Sequence, residues 1–115
     1  MRKYITTEVI QQYATVSQDT AAIHLDRDVA AKAGFKRPIV HGMYLMGLAQ
    51  SIYLAKHPRQ WITQYEMKFH KPMLVDTVAR FDFEPDDDST IKVTVTADDD
   101  TLIASGAFSV KEVQE

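Results

Sequence analysis

The chain has 115 residues, 45% hydrophobic and 25% charged, with a formal net charge of −3 and no cysteine. That length suits one domain; the charge excludes the basic footprint of a nucleic-acid binder, and the lack of cysteine excludes disulfides, thiolate catalysis and zinc ribbons. No segment is apolar for long enough to cross a membrane or act as a secretory leader, so the expectation is a soluble protein of the reducing cytoplasm.

The stretch TTEVIQQYATVS predicts a first helix, with Thr7 as its cap, Glu8 in its first turn, and Val9, Ile10, Tyr13 and Val16 as its apolar stripe. SQDTAAIHLD, residues 17–26, reads as an irregular turn carrying Asp19 and His24. Asp26 then caps a short helix, RDVAAKAG, which Gly34 ends. Pro38 makes residues 35–40 extended. From His41 the pattern is helical again, through GMYLMGLAQSIYLAKHP, and apolar on nearly every side, so Met43, Met46 and Leu48 are assigned to the core. Lys56 and His57 suit the C-terminal end of that helix and Pro58 stops it.

Four stretches of alternating β-branched and aromatic residues follow: WITQYEMKFH, DTVARFDFE, TIKVTVTAD and TLIASGAFSVK. Breaks fall around Pro72 and at the Asp triplets 86–88 and 98–100, which read as solvated hairpin turns rather than metal sites. A lone apolar helix needs a sheet to wrap it. The expected architecture is therefore α+β: short N-terminal helices, then four antiparallel strands in a meander around one long buried helix. A sheet that small leaves an exposed edge, which argues for a homodimer or a dimer of dimers.

Alone, Asp19 and His24 are a turn aspartate and a structural histidine. The combined order S-x-D-x-x-x-x-H-x-D, then A-x-x-A-G-F-x-x-P-I-V-H-G-M, resembles the signature of the MaoC-like (R)-specific enoyl-CoA hydratases. The likeness is densest over residues 13–48 and returns at FHKPMLVDTV. It implies the hot-dog fold, in agreement with the periodicity, and chemistry on an acyl thioester in fatty-acid metabolism. It also implies that Asp19 and His24 hold a water that adds across an α,β double bond, or leaves in the reverse dehydration. Such hydration needs a base for the attacking water and a proton for C2. Gly42, opening the long helix, matches the backbone N–H donor that stabilises the thioester oxyanion. The chain departs from the family pattern where members carry Asn-Pro, here Ala21 and Ala22. Gln50 stands in place of a helix serine, and Val75-Asp76 in place of Gly-Asp.

The substrate carrier is coenzyme A or an acyl-carrier protein, with no resident cofactor and no metal. Lys36 and Arg37, and more weakly Lys71, are candidates for the carrier's phosphates, and Pro38, Ile39, His41 and Met43 for the substrate-binding loop and helix mouth. His41 is expected to orient the loop. Two other functions are compatible with this scaffold: a thioesterase, or a non-catalytic acyl-CoA-binding subunit.

Overall fold

The computed structural model describes residues 1–113. Its elements are β1 (Arg2–Ile5), α1 (Thr7–Ser17), α2 (Ala22–Leu25), α3 (Arg27–Lys32), α4 (Gly42–Lys56), β2 (Gln60–Phe69), β3 (Thr77–Pro85), β4 (Thr90–Ala97) and β5 (Leu102–Glu112). One antiparallel sheet, in the order β1-β3-β4-β5-β2, packs on α4. This is the expected helix-in-sheet architecture, with two corrections.

The first is a fifth strand. Residues 2–5 pair with β3, from Arg2 opposite Arg80 to Ile5 opposite Thr77, and only Ile5 is buried. Four residues with one inward side chain carry almost no period-two signal. The second concerns connectivity. β2 pairs along its length with β5 and not with β3, so the strands are no simple meander. After β2, the segment around Pro72 crosses the domain instead of turning back. It bonds to the extended stretch before α4: Val40 N–H to Met73 O at 2.7 Å, Val75 N–H to Pro38 O at 2.9 Å, with an Ile39–Leu74 bridge between them.

α4 buries Leu45, Ala49, Ile52 and Tyr53 against Phe81, Val93, Val95, Ile103 and Phe108. The sheet covers only this side of it. Met43 is 63% exposed and lies outside the core, contrary to its assignment, while Met46 and Leu48 are half-buried. Tyr65 crosses from β2 to donate its hydroxyl to Met46 O at 2.8 Å, and burial pushes that phenol up to about 12. β5 closes on β2 at Gly106, opposite Met67, where a Cβ would run into the Glu66 carbonyl.

The N-terminal region is tied to the crossover. Thr6, not Thr7, caps α1, its hydroxyl accepting from Val9 N–H at 3.1 Å. Thr7 instead donates its N–H and hydroxyl to the Asp76 carboxylate at 2.8 and 2.7 Å. Those hydrogen bonds hold the Asp76 carboxyl below its usual range. Asp76 itself adopts a left-handed backbone, φ 59°. Val16 is 83% exposed and drops out of the α1 stripe, where Ala14 is buried beside Ile10. Both Asp triplets form turns: Asp87 accepts from the Ser89 and Thr90 N–H groups and Asp99 from that of Thr101.

Candidate active site

Left-handed Gln18 (φ 62°) ends α1 and turns the chain into the Asp19 segment. The expected irregular turn is a single helical turn, α2, closed by His24 N–H to Ala21 O at 3.0 Å and Asp26 N–H to Ala22 O at 2.7 Å. Ala21 occupies its N-cap position and contributes no side-chain bond. Asp26 caps α3 as expected, accepting from Asp28 and Val29 at 2.8 and 3.2 Å.

His24 Nδ1 lies 2.8 Å from the Ile39 carbonyl oxygen. A carbonyl only accepts, so Nδ1 carries the proton and, in the neutral ring, Nε2 keeps its lone pair. Nε2 faces Asp19 Oδ2 at 3.9 Å. Two acceptors at that separation share no direct hydrogen bond. What fits between them is a donor with two O–H groups, which describes water.

His41 is 2% exposed and precedes α4. Its Nε2 is 2.9 Å from the backbone oxygen of Asp19, so Nε2 is the protonated nitrogen. Nδ1 is then a buried acceptor with no hydrogen-bond partner among the described residues, a state that costs about 1–3 kcal/mol. The His41 ring stacks on His24, centroids 3.7 Å apart and planes 18° apart, and meets the edge of Tyr13 at 4.9 Å. Asp19, His24 and His41 offer ligand-type atoms all within 4.8 Å of one another. They make a poor metal site: His41 Nε2 is committed as a donor to the Asp19 carbonyl and His24 Nδ1 to that of Ile39, which leaves His24 Nε2 and the Asp19 carboxylate facing one another, short of the ligand set an ion such as zinc takes.

Gly42 follows at the N-terminus of α4. Among the described residues, its N–H and that of Met43 find no acceptor, as expected for a first helical turn. A Cβ on Gly42 would sit 3.1 Å from Cε1 and Cζ of Phe69. Beside it lies a cavity of about 400 Å³ that brings together His24, Ile39, Gly42, Phe69, His70 and Lys71 over a buried floor of Val40, Leu45, Met73 and Ile103. A larger hollow of about 550 Å³ along β2 and β5 has Glu66 as its sole carboxylate and contains no imidazole. It therefore offers no acid–base pair.

The structure thus gathers Asp19, His24, Ile39, His41 and Gly42 within contact of one another; of these His24, Ile39 and Gly42 line the cavity, and Asp19 and His41 lie behind His24 outside its lining. Pro38 is buried behind them, its carbonyl bonded to Val75. Arg37 is a clamp: its Nε donates to Val75 O at 2.9 Å and its Nη2 to Thr77 Oγ1 at 3.2 Å. Lys36 lines a neighbouring cleft of about 390 Å³ with Arg37, Asp98 and Asp99, where charges balance. Lys71, the weaker candidate, is the cation on the His24 cavity itself. Met43 faces outward and is absent from that cavity's lining. Gln50 is exposed on α4 and shares no hydrogen bond with Asp19 among the described residues. Sequence reading missed Phe69, His70, Met73 and Ile103. Phe69, His70 and Met73 fall in FHKPMLVDTV, where the family likeness returns, but no local signal places them or Ile103 at the site, because only the β2–β5 pairing and the crossover bring them to α4.

A family model described as MaoC like domain matches residues 2–105. Among curated proteins, a mitochondrial 3-hydroxyacyl-[acyl-carrier-protein] dehydratase of Arabidopsis thaliana is 32% identical over 73 residues, covering 64% of this chain and 44% of the plant protein. The match thus spans less than half the length of that relative. Among solved structures, an (R)-hydratase from A. caviae involved in PHA biosynthesis superimposes with a TM-score of 0.85 at 25% identity, covering 97% of this chain and 91% of its own. An (R)-hydratase from Pseudomonas aeruginosa in the unliganded form gives a TM-score of 0.82 at 23% identity, covering 100% of this chain and 79% of its own.

Proposed function

This chain belongs to the MaoC-like domain family, and on that premise we propose that it hydrates trans-2-enoyl thioesters to (R)-3-hydroxyacyl thioesters, or catalyses the reverse dehydration. The observation that carries this reading is the facing pair of acceptors, Asp19 Oδ2 and His24 Nε2, 3.9 Å apart beside an apolar cavity. Water held between them attacks C3 of the enoyl group and gives one proton to the pair. The same pair returns a proton to C2, so H and OH add across the double bond and nothing is consumed. Negative charge gathers on the thioester oxygen during attack. The free N–H of Gly42 at the helix N-terminus, where the helix dipole favours negative charge, is the donor that meets it.

The cavity floor of Val40, Leu45, Met73 and Ile103 suits an acyl chain, and Lys71 at its rim suits a carrier phosphate. With Arg37 engaged at Val75 and Thr77, the cationic contact shifts from the residues before Pro38 to Lys71. The carrier is coenzyme A or an acyl-carrier protein; the name of the plant relative supports the latter. No helix among the described residues is long and apolar enough to cross a membrane. The chain has no cysteine, which suits a reducing compartment, and the plant relative is mitochondrial.

The assembly proposed is a dimer. β2 is a ten-residue edge strand paired on one side only, an arrangement that invites a second strand.

Crotonyl-CoA tests the activity directly. Loss of enoyl absorbance without free thiol supports hydration, thiol release supports a thioesterase, and neither supports a binding subunit. Asp19→Asn keeps the shape but cannot take the proton, so kcat should fall by about 10²–10⁴ with KM little changed. A double Asp19→Asn/His24→Ala variant should be little worse than either single one. Wild-type kcat in Asp19→Asn would reduce the pair to a turn.

A further inference from the structure

We propose that His41 is a positioning residue that sets the spacing of the Asp19–His24 pair; this rests on the hydratase reading above. Asp19 lies on an exposed segment, its carboxylate side chain 53% exposed. Its local bonds are weak: its N–H to Ser17 Oγ at 3.3 Å, and Ala21 N–H to its Oδ1 at 3.4 Å. Among the described residues, the one hydrogen bond reaching Asp19 from outside residues 17–26 comes from His41 Nε2, at 2.9 Å.

The same ring stacks on His24 at 3.7 Å. A single buried side chain therefore touches both partners, one through its N–H and the other through its face. It is itself immobilised by the Tyr13 edge at 4.9 Å and by its place at the head of α4. The backbone of Asp19 and the ring of His24 are thus referenced to the helix whose first residue, Gly42, lines the cavity. His41 Nε2 also lies 3.9 Å from Asp19 Oδ2, as far as His24 Nε2 does, but its proton is committed to the Asp19 carbonyl at 2.9 Å and its Nδ1 is buried, so it offers the attacking water no base.

The orphaned Nδ1 separates a positioning role from a packing role. Phenylalanine would keep both ring contacts and remove the unpaired acceptor, so packing alone favours Phe at this position. What Phe cannot supply is the N–H to Asp19. Glutamine can, because its amide nitrogen reaches about where Nε2 sits, though it loses the stacking.

The test compares wild type, His41→Phe and His41→Gln in thermal unfolding, in kcat and KM with crotonyl-CoA, and in backbone ¹⁵N relaxation of residues 17–26. His41→Phe should hold or raise Tm and leave KM within about threefold, while kcat falls on the order of 10²-fold, the loss expected from a misplacement of about 1 Å. His41→Gln should recover about tenfold of that loss despite a lower Tm. In His41→Phe the order parameters of Asp19 and Thr20 should drop while those of α3 do not. Wild-type kcat in His41→Phe, or activity that follows Tm across the series, would overturn the proposal. So would unchanged order parameters at Asp19, a readout that holds even if crotonyl-CoA proves not to be a substrate, in which case the hydratase reading alone fails.

Discussion

Where other family members carry Asn-Pro, this chain has Ala21 and Ala22, and the structure shows what those residues would do. Position 21 is the N-cap of α2 and position 22 its first helical residue, the places that favour Asn and Pro. Ala21 has φ −55° and ψ 134° and makes no side-chain cap bond; that ψ is what a following proline requires. Among the described residues the N–H of Ala22 meets no acceptor, so proline there removes no hydrogen bond. Ala21→Asn should add about 1 kcal/mol through a capping bond. Ala22→Pro should add about 0.4–1 kcal/mol, chiefly by restricting the unfolded chain. Together they amount to about 1.4–2 kcal/mol, which at roughly 4 °C per kcal/mol for a domain of this size raises Tm by about 6–8 °C. The assay is thermal unfolding of the two single variants and the double, with kcat measured on each. Steadying α2 steadies His24, so kcat should rise or hold while KM stays put. A double variant no more stable than wild type would refute the assignment of these positions as an uncapped helix start, and a fall in kcat would refute the link between that turn and the pair.

Gly42→Ala should lower kcat/KM by about 10²-fold through crowding of its N–H while stability stays within about 1 kcal/mol, because the Phe69 ring it meets is 43% exposed and free to shift; recovery of activity in Gly42→Ala/Phe69→Ala would show that the glycine only accommodates that ring. Gly106→Ala should instead lose about 1–3 kcal/mol in denaturant unfolding, since backbone rather than a side chain blocks its Cβ. Asp76→Asn should lose about 0.5–1 kcal/mol at pH 7, a small figure for an exposed carboxylate. The folded-state pKa of Asp76 is depressed, so its charge stabilises above the unfolded value of about 3.9 and this is lost as pH falls through the folded value; unfolding curves of the two proteins should converge in acid. Replacing Asp86 and Asp88 by Asn should leave kcat/KM unchanged, and added calcium should not alter the Tm of either protein.

The architecture was legible because its signals are local. A fifteen-residue apolar helix and four alternating strands announce themselves, and each falls within a residue or two of its expected limits. β1 was not legible, having one buried side chain in four. Nor was the partner of β2, since strand order is decided by the crossover around Pro72 and not by alternation. At the site, Asp19, His24, His41 and Gly42 were legible as a pattern, but their relation was not. Which nitrogen of His24 faces Asp19 is decided by the Ile39 carbonyl, fifteen residues further on. Arg37 reads in the sequence as a candidate for the carrier's phosphates, and only the folded crossover shows its guanidinium bonded to Val75 and Thr77.

The segment between β2 and β3 bonds to the stretch before α4, and this has a kinetic consequence. The site draws on residues 19–24, 39–42, 69–73 and 103, four pieces of chain that no early local structure brings together. Loop closure over such separations must precede any of their contacts, which puts folding in the slower, millisecond-to-second regime of non-local topologies. α1 and α4 can form early, but the cavity has no floor until Met73 arrives on the crossover and Ile103 on β5. Regain of activity on refolding should therefore trail the return of helical signal and coincide with protection of the β2–β5 amides. A variant that slows that pairing would delay function without weakening the native state.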